Sequence, residues 1–153
     1  MCYISGSNEN VMENLSKKQT LQFLKNKIKH IRTAILTTYS NSNGYRGRPT
    51  GTADIDNSGN IWFFTNEYPQ EAKQIFKDNT VSVTYSSPDN NSYVSVRGEA
   101  ELISDKHKMK EFWNPFVRAF FPNGMNDPKL TLIRIKPTNA EYWDNGSIKL
   151  FVL

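Results

Sequence analysis

Between Tyr93 and Leu102 the side chains sort with a period of two. Val94, Val96, Gly98, Ala100 and Leu102 fall on one side. Tyr93, Ser95, Arg97, Glu99 and Glu101 fall on the other. Only an extended backbone sorts residues this way, because successive Cβ atoms point to opposite faces. One face is fit for a core and the other for water, which is the habit of antiparallel sheets. A strand of this kind needs neighbours to take up its backbone hydrogen bonds.

The chain supplies them. Arg32 to Tyr39 is β-branched and apolar. Asn41-Ser42-Asn43-Gly44 is a turn, since Asn and Gly tolerate the positive φ of tight turns, and Gly47 to Ile55 is its return strand. A second turn, Asp56-Asn57-Ser58-Gly59-Asn60, leads to Ile61-Trp62-Phe63-Phe64, apolar on both faces and so expected to be covered on both. Val81 to Tyr85 alternates. Leu130 to Ile135 and Ala140 to Trp143 read as two strands, with a further one over Ile148 to Leu153. Three helices interrupt the strands. Ser16 is an N-cap for a helix with Leu21, Leu24, Ile28 and Ile31 on one face. Pro69 to Lys77 fits a short helix with Pro in its first turn. Asp105 caps a helix from Lys106 to about Phe121, in which Phe112, Phe116 and Phe120 repeat every four residues. Short strands, tight turns and inserted helices predict a mostly β domain with peripheral helices, an antiparallel barrel of Greek-key type.

The 153 residues are enough for one domain, 15–153, preceded by a flexible polar tail over 1–14. No apolar run approaches the roughly 20 residues of a membrane span, so no membrane partner is expected. The first residues are not expected to form a signal peptide. A single cysteine, Cys2, points to a reducing cytoplasm rather than a disulfide scaffold. The net charge of +4 is local. Lys17, Lys18, Lys25, Lys27, Lys29 and Arg32 give the segment 16–32 a charge of +6 with no acid, leaving −2 for the rest. That is one basic helix and not a surface-wide field.

The usual catalytic signatures are missing. His30 and His107 are expected on exposed helix surfaces, and no zinc spacing, P-loop, GxGxxG or GxSxG occurs. Asp54 and Asp56 could pair on a strand face, but opening the turn is their simpler role, and no metal site is expected. Three features remain. Arg46-Gly47-Arg48-Pro49-Thr50 sets two fork-shaped donors around a glycine, which suits a phosphate. Phe64-Thr65-Asn66 ends a strand with a hydroxyl and an amide, which suit the polar edge of a heterocycle. Glu141-Tyr142-Trp143-Asp144 carries a Trp that could cover a ring.

In this order and spacing, these pieces resemble the FMN-binding split-barrel family related to pyridoxamine 5′-phosphate oxidase, in its general stress protein branch. Tyr93 to Gly98, Trp113-Asn114-Pro115-Phe116, Phe120 to Gly124 and Asp127-Pro128 complete the resemblance, which covers about residues 16 to 145. It implies a six-stranded antiparallel split barrel, a homodimer, and FMN in clefts shared by both subunits. It also implies a flavin-dependent oxidoreductase acting on a small molecule, with a place in stress response. Arg46, Gly47, Arg48, Pro49 and Thr50 would line the flavin and its phosphate. Phe64, Thr65 and Asn66 would contact the ring system, and Trp143 matches a Trp near it. Where the oxidases carry a phosphate-binding Lys, this chain has Glu71. Lys73 is the nearest cation, about 200° round a helix from it. The oxidases close with an Arg-Leu-His-x-Arg run that grips the substrate phosphate. Here Asn145 to Leu150 offers one Lys, so a different substrate is expected. The family also admits a deazaflavin or a haem. The alternative reading is a non-catalytic module binding nucleic acid through the basic helix, although nucleic acid is not the expected partner.

Overall fold

The computed structural model describes residues 9–11, 16–31, 33–66 and 78–153. The expected helix over 69–77, with Glu71 and Lys73, lies outside them, as does Cys2. Eight strands form one sheet: β1 (Glu9–Val11), β2 (Thr33–Ser40), β3 (Gly44–Ile55), β4 (Ile61–Thr65), β5 (Thr80–Ser87), β6 (Ser92–Ile103), β7 (Thr131–Asp144) and β8 (Ser147–Val152). Six of them close on themselves in the order β7–β4–β3–β2–β5–β6, and β6 pairs back onto β7. Every pairing in that ring is antiparallel. This is the expected six-stranded barrel. Strand β8 extends the sheet beyond β7, and β1, within the stretch read as a tail, pairs parallel to β8.

Helix α1 (Lys17–Ile28) begins at Ser16 with a reciprocal cap: Gln19 N–H donates to Ser16 Oγ, and Ser16 N–H donates to Gln19 Oε1. It buries Leu24 and Ile28 against the barrel core. The single long helix expected after Asp105 is two: α2 (Lys106–Phe112) and α3 (Pro115–Phe120). Pro115 lacks an N–H and forces its predecessor out of helical geometry. Asn114 is extended, with φ −147°, and caps α3 by accepting from Val117 N–H.

The two strands expected over 130–143 are one. Strand β7 runs through Pro137, which sits where β7 changes partners on one side from β4 to β8. On its other side the ladder to β6 slips by one residue at Gly98. A Cβ on Gly98 would lie 2.4 Å from the Lys136 carbonyl oxygen, so only glycine fits there.

Strand β4 is buried on both faces, as its composition predicts. Ile61 and Phe63 point into the barrel with Leu36, Val83, Val96 and Ile135. Trp62 and Phe64 point outward into a second core built with Met109 and Phe112 of α2, Val117 of α3, and Leu132. Each fully buried side chain of this kind contributes about 1.5–3 kcal/mol. The second core therefore fixes α2 and α3 beside β4.

Candidate functional site

Strand β3 is twelve residues long, but β4 pairs with only three of them, all within its last four. The ladder holds Ile55 to Ile61 and Asp54 to Trp62. It then skips Ala53 and ends at Thr52 opposite Phe63. Beyond that point the strands part. Arg48, Pro49, Thr50 and Gly51 form one wall of the resulting cleft, and Phe64, Thr65 and Asn66 form the other. Leu36 and Ile133 close it from the barrel side, and Phe120 and Phe121 from α3 and its end. Its volume is about 190 Å³.

The register explains which side chains enter. Arg48 pairs with Leu36 and Thr50 with Ala34, both buried, and paired residues share a face. Arg48 therefore points toward the barrel side, where its Nε is closed off from solvent. Arg46 shares that face one step further out, but is exposed and does not line the cleft. Gly47 pairs with Thr37 on the opposite face. Gly51 is a close approach: a Cβ there would meet the Phe116 ring at 2.9 Å. The missing side chain lets α3 sit on β3 with the edge-on ring pair Phe116–Phe120.

Of the expected site residues, the fold brings together Arg48, Pro49, Thr50, Phe64, Thr65 and Asn66. Trp143 is not with them. It lies ten residues along β7 from Ile133, about 33 Å of strand, paired with Tyr93 and Ile148. Lys73 lies outside the described residues. Sequence reasoning did not place Leu36, Gly51, Phe121 or Ile133 in the cleft. Phe120 was visible as part of an aromatic repeat and of the resemblance, but not as a cleft residue.

No described lining residue is an acid, a histidine or a cysteine. Two described groups with shifted ionisation lie outside this lining. Burial pushes the Tyr85 hydroxyl up, against the hydrogen bond it shares with Thr52. At Asp56, burial alone would raise the carboxyl. The Trp62 indole, the Asn60 side chain and the Asn60 and Ser58 amides all donate to it and hold it below the ordinary value. Asp56 is thus the turn anchor and not half of a carboxylate pair; Asp54 is exposed. His30 and His107 are exposed as expected. Among the described residues no cluster of three or more metal-ligating side chains occurs. No helix among them is long and apolar enough to cross a membrane.

A larger hollow, about 560 Å³, lies at the other end of β4. Lys17, Glu99, Glu101, Arg134 and Lys136 line it, and Arg134 is ion-paired to Glu101. The hollow's charges are of both signs, and all but Arg134 are exposed. The smaller cleft joins one inward-facing cation to the buried Phe64 and the partly exposed Phe120 and Phe121, and it is the better candidate.

A sequence profile of the family described as "Pyridoxamine 5'-phosphate oxidase like" matches residues 19–153. Protein bli-3 of Neurospora crassa is 24% identical over 119 residues, 71% of this chain, and the chain spans 57% of that relative's length. The fold is similar to that of a protein related to general stress protein 26 (pyridoxinephosphate oxidase family) from Clostridium acetobutylicum. The TM-score is 0.76 at 14% identity, over 90% of this chain and 97% of that one. A general stress FMN/FAD binding protein from Xanthomonas citri is 29% identical, with a TM-score of 0.67 over 86% and 92% of the two chains. A heme binding protein from Mycobacterium smegmatis, at 10% identity and a TM-score of 0.68 over 90% and 60%, shares the fold alone. The match across residues 19–153, on a closed six-stranded barrel, means that the chain belongs to the pyridoxamine 5′-phosphate oxidase-like family.

Proposed function

We propose that the chain binds FMN in the β3–β4 cleft and serves, as a homodimer, as a flavin-dependent redox protein. The observation that carries this reading is the convergence of Arg48 with Phe64, Thr65 and Asn66 at the point where the strands part. Arg48 offers a guanidinium fork to a phosphate. The Thr65 hydroxyl and Asn66 carboxamide can meet the polar edge of a ring system, and Phe64 and Phe121 give it apolar walls. When bound, the flavin supplies hydride or electron transfer, and this chain's residues supply binding and orientation. No described His or Cys lines the cleft to serve as a haem ligand, which favours FMN over haem.

At about 190 Å³ the cleft is smaller than the roughly 300–1,000 Å³ of whole ligand sites, so it needs a further wall. A second copy is a fitting source. Ile35, Tyr39 and Tyr45 lie on the outer face of β2 and β3, and Phe120 borders both that face and the cleft. The substrate is a small molecule other than pyridoxamine 5′-phosphate, because Asn145 to Leu150 forms the β7–β8 turn and the start of β8 and carries a single cation. Turnover of pyridoxamine 5′-phosphate should therefore be absent in an oxidase assay with added FMN.

The deciding experiment is a visible spectrum of the purified protein followed by FMN titration. Flavin absorbance and saturable binding support the reading. A haem band, or no FMN binding by a folded dimer, overturns it.

A further inference from the structure

Tyr85 of β5 is fully buried, and its hydroxyl lies 2.8 Å from Thr52 Oγ1 of β3. These strands are not neighbours; β2 runs between them. Two strand spacings are about 9.6 Å, so the phenol must reach across β2 to make this bond. The register puts Ala34 beside the path. Ala34 pairs with Tyr85 on one side and with Thr50 on the other, and its methyl leaves room for the ring.

The place where the bond lands matters more than the bond. Thr52 is the last β3 residue in the ladder to β4, next to the skipped Ala53. From Gly51 outward β3 has lost β4 and becomes a cleft wall. The β2 ladder holds that wall on one side only. We infer that the Tyr85–Thr52 hydrogen bond is a positioning strut: it pins β3 at the root of the cleft and so sets where Arg48 and Thr50 stand relative to Phe64 and Thr65. For its ligand this inference rests on the flavin reading above; for its geometry it does not. A bond that merely satisfied a buried hydroxyl would need no particular landing point.

The test uses the full-length chain, with Tyr85→Phe, Thr52→Val and the conservative Thr52→Ser. The first readout is residue-resolved amide exchange without flavin. Faster exchange confined to β3 from Gly44 to Thr52 and to Phe64 and Thr65, with the β5–β6 ladder unchanged, supports the strut. The second is FMN titration. Tyr85→Phe and Thr52→Val should weaken FMN about tenfold, and Thr52→Ser should keep the wild-type affinity. Exchange that rises evenly over the barrel, or an unchanged FMN affinity in a folded Tyr85→Phe protein, overturns the strut. If Tyr85→Phe does not fold, the two Thr52 variants keep the ring in place and carry both readouts. If the wild type takes no FMN, the flavin reading falls and the exchange pattern alone decides the strut.

Discussion

Asp56 shows how much one side chain can hold. Its carboxylate accepts from two turn amides, from Asn60 Nδ2 and from the indole of the buried Trp62, whose ring Lys108 and Arg134 also approach. Its folded pKa lies below its ordinary value, so the charged form is favoured in the native state. The stability this contributes is present above the ordinary carboxylate range and is lost as pH falls through the folded value. Asp56→Asn should flatten the acid side of the stability profile, measured as melting temperature between about pH 7 and pH 3. Asp56→Ala should cost about 1–3 kcal/mol at neutral pH by denaturant unfolding. In the cleft, Arg48 is the cation turned inward and Arg46 is not. Arg48→Ala should weaken FMN by about ten- to a hundredfold, the worth of a charge-assisted hydrogen bond. Riboflavin, which lacks the phosphate, should respond little, and Arg46→Ala should have the smaller effect on FMN. Equal losses for the two flavins would mean that Arg48 does not meet the phosphate.

Among the elements, α1 carries an arrangement that works against itself. Lys17 and Lys18 occupy its first turn, which has no acid, and they face the positive end of the helix dipole. Lys25 and Lys27 in the last turn are favourably placed. Lys18→Glu should raise stability by about 0.3–1 kcal/mol at low salt, with the gain shrinking as salt is added, followed by thermal melts. This helix was legible in the sequence as far as Ile28, where cap, periodicity and burial agree; Ile31, read on the same face, lies beyond the helix end. The strands were legible for the same reason: Val94, Val96, Gly98 and Ala100 are buried as their alternation demands. The rest needed information from elsewhere in the chain. Phe112, Phe116 and Phe120 masked the break that Asn114 and Pro115 impose, because a four-residue repeat survives a kink. Leu130 to Ile135 and Ala140 to Trp143 read as separate strands, but β7 runs through Pro137 and changes partners there. The cleft was half legible. Its β3 and β4 walls are local motifs, but Leu36 and Ile133 arrive through barrel closure, and Gly51 matters only because α3 lands on it.

For the molecule as a whole, the outer face of β2 and β3 carries exposed aromatic and aliphatic side chains. Ile35, Tyr39 and Tyr45 are 42%, 36% and 81% exposed, the two Tyr rings are 4.9 Å apart, and Phe120 at 41% continues the patch to the rim of the cleft. A stable interface takes roughly 800 Å² from each partner, and exposed aromatics of this kind are what such interfaces enrich. If the second copy both covers this face and completes the flavin site, dimerisation and FMN binding are one linked equilibrium. Ligand that binds only the dimer must drive monomers together, and dilution must release ligand. Three results are therefore expected. Sedimentation at micromolar concentration gives a dimer. FMN moves the monomer–dimer balance toward dimer, and the apparent FMN affinity falls as the protein is diluted through that balance. Tyr45→Asp, a substitution at an 81% exposed residue, leaves the fold intact by circular dichroism yet gives a monomer with weak FMN binding. A monomer that binds FMN as tightly as the wild type would separate the two equilibria. The missing wall of the cleft would then have to come from the same chain.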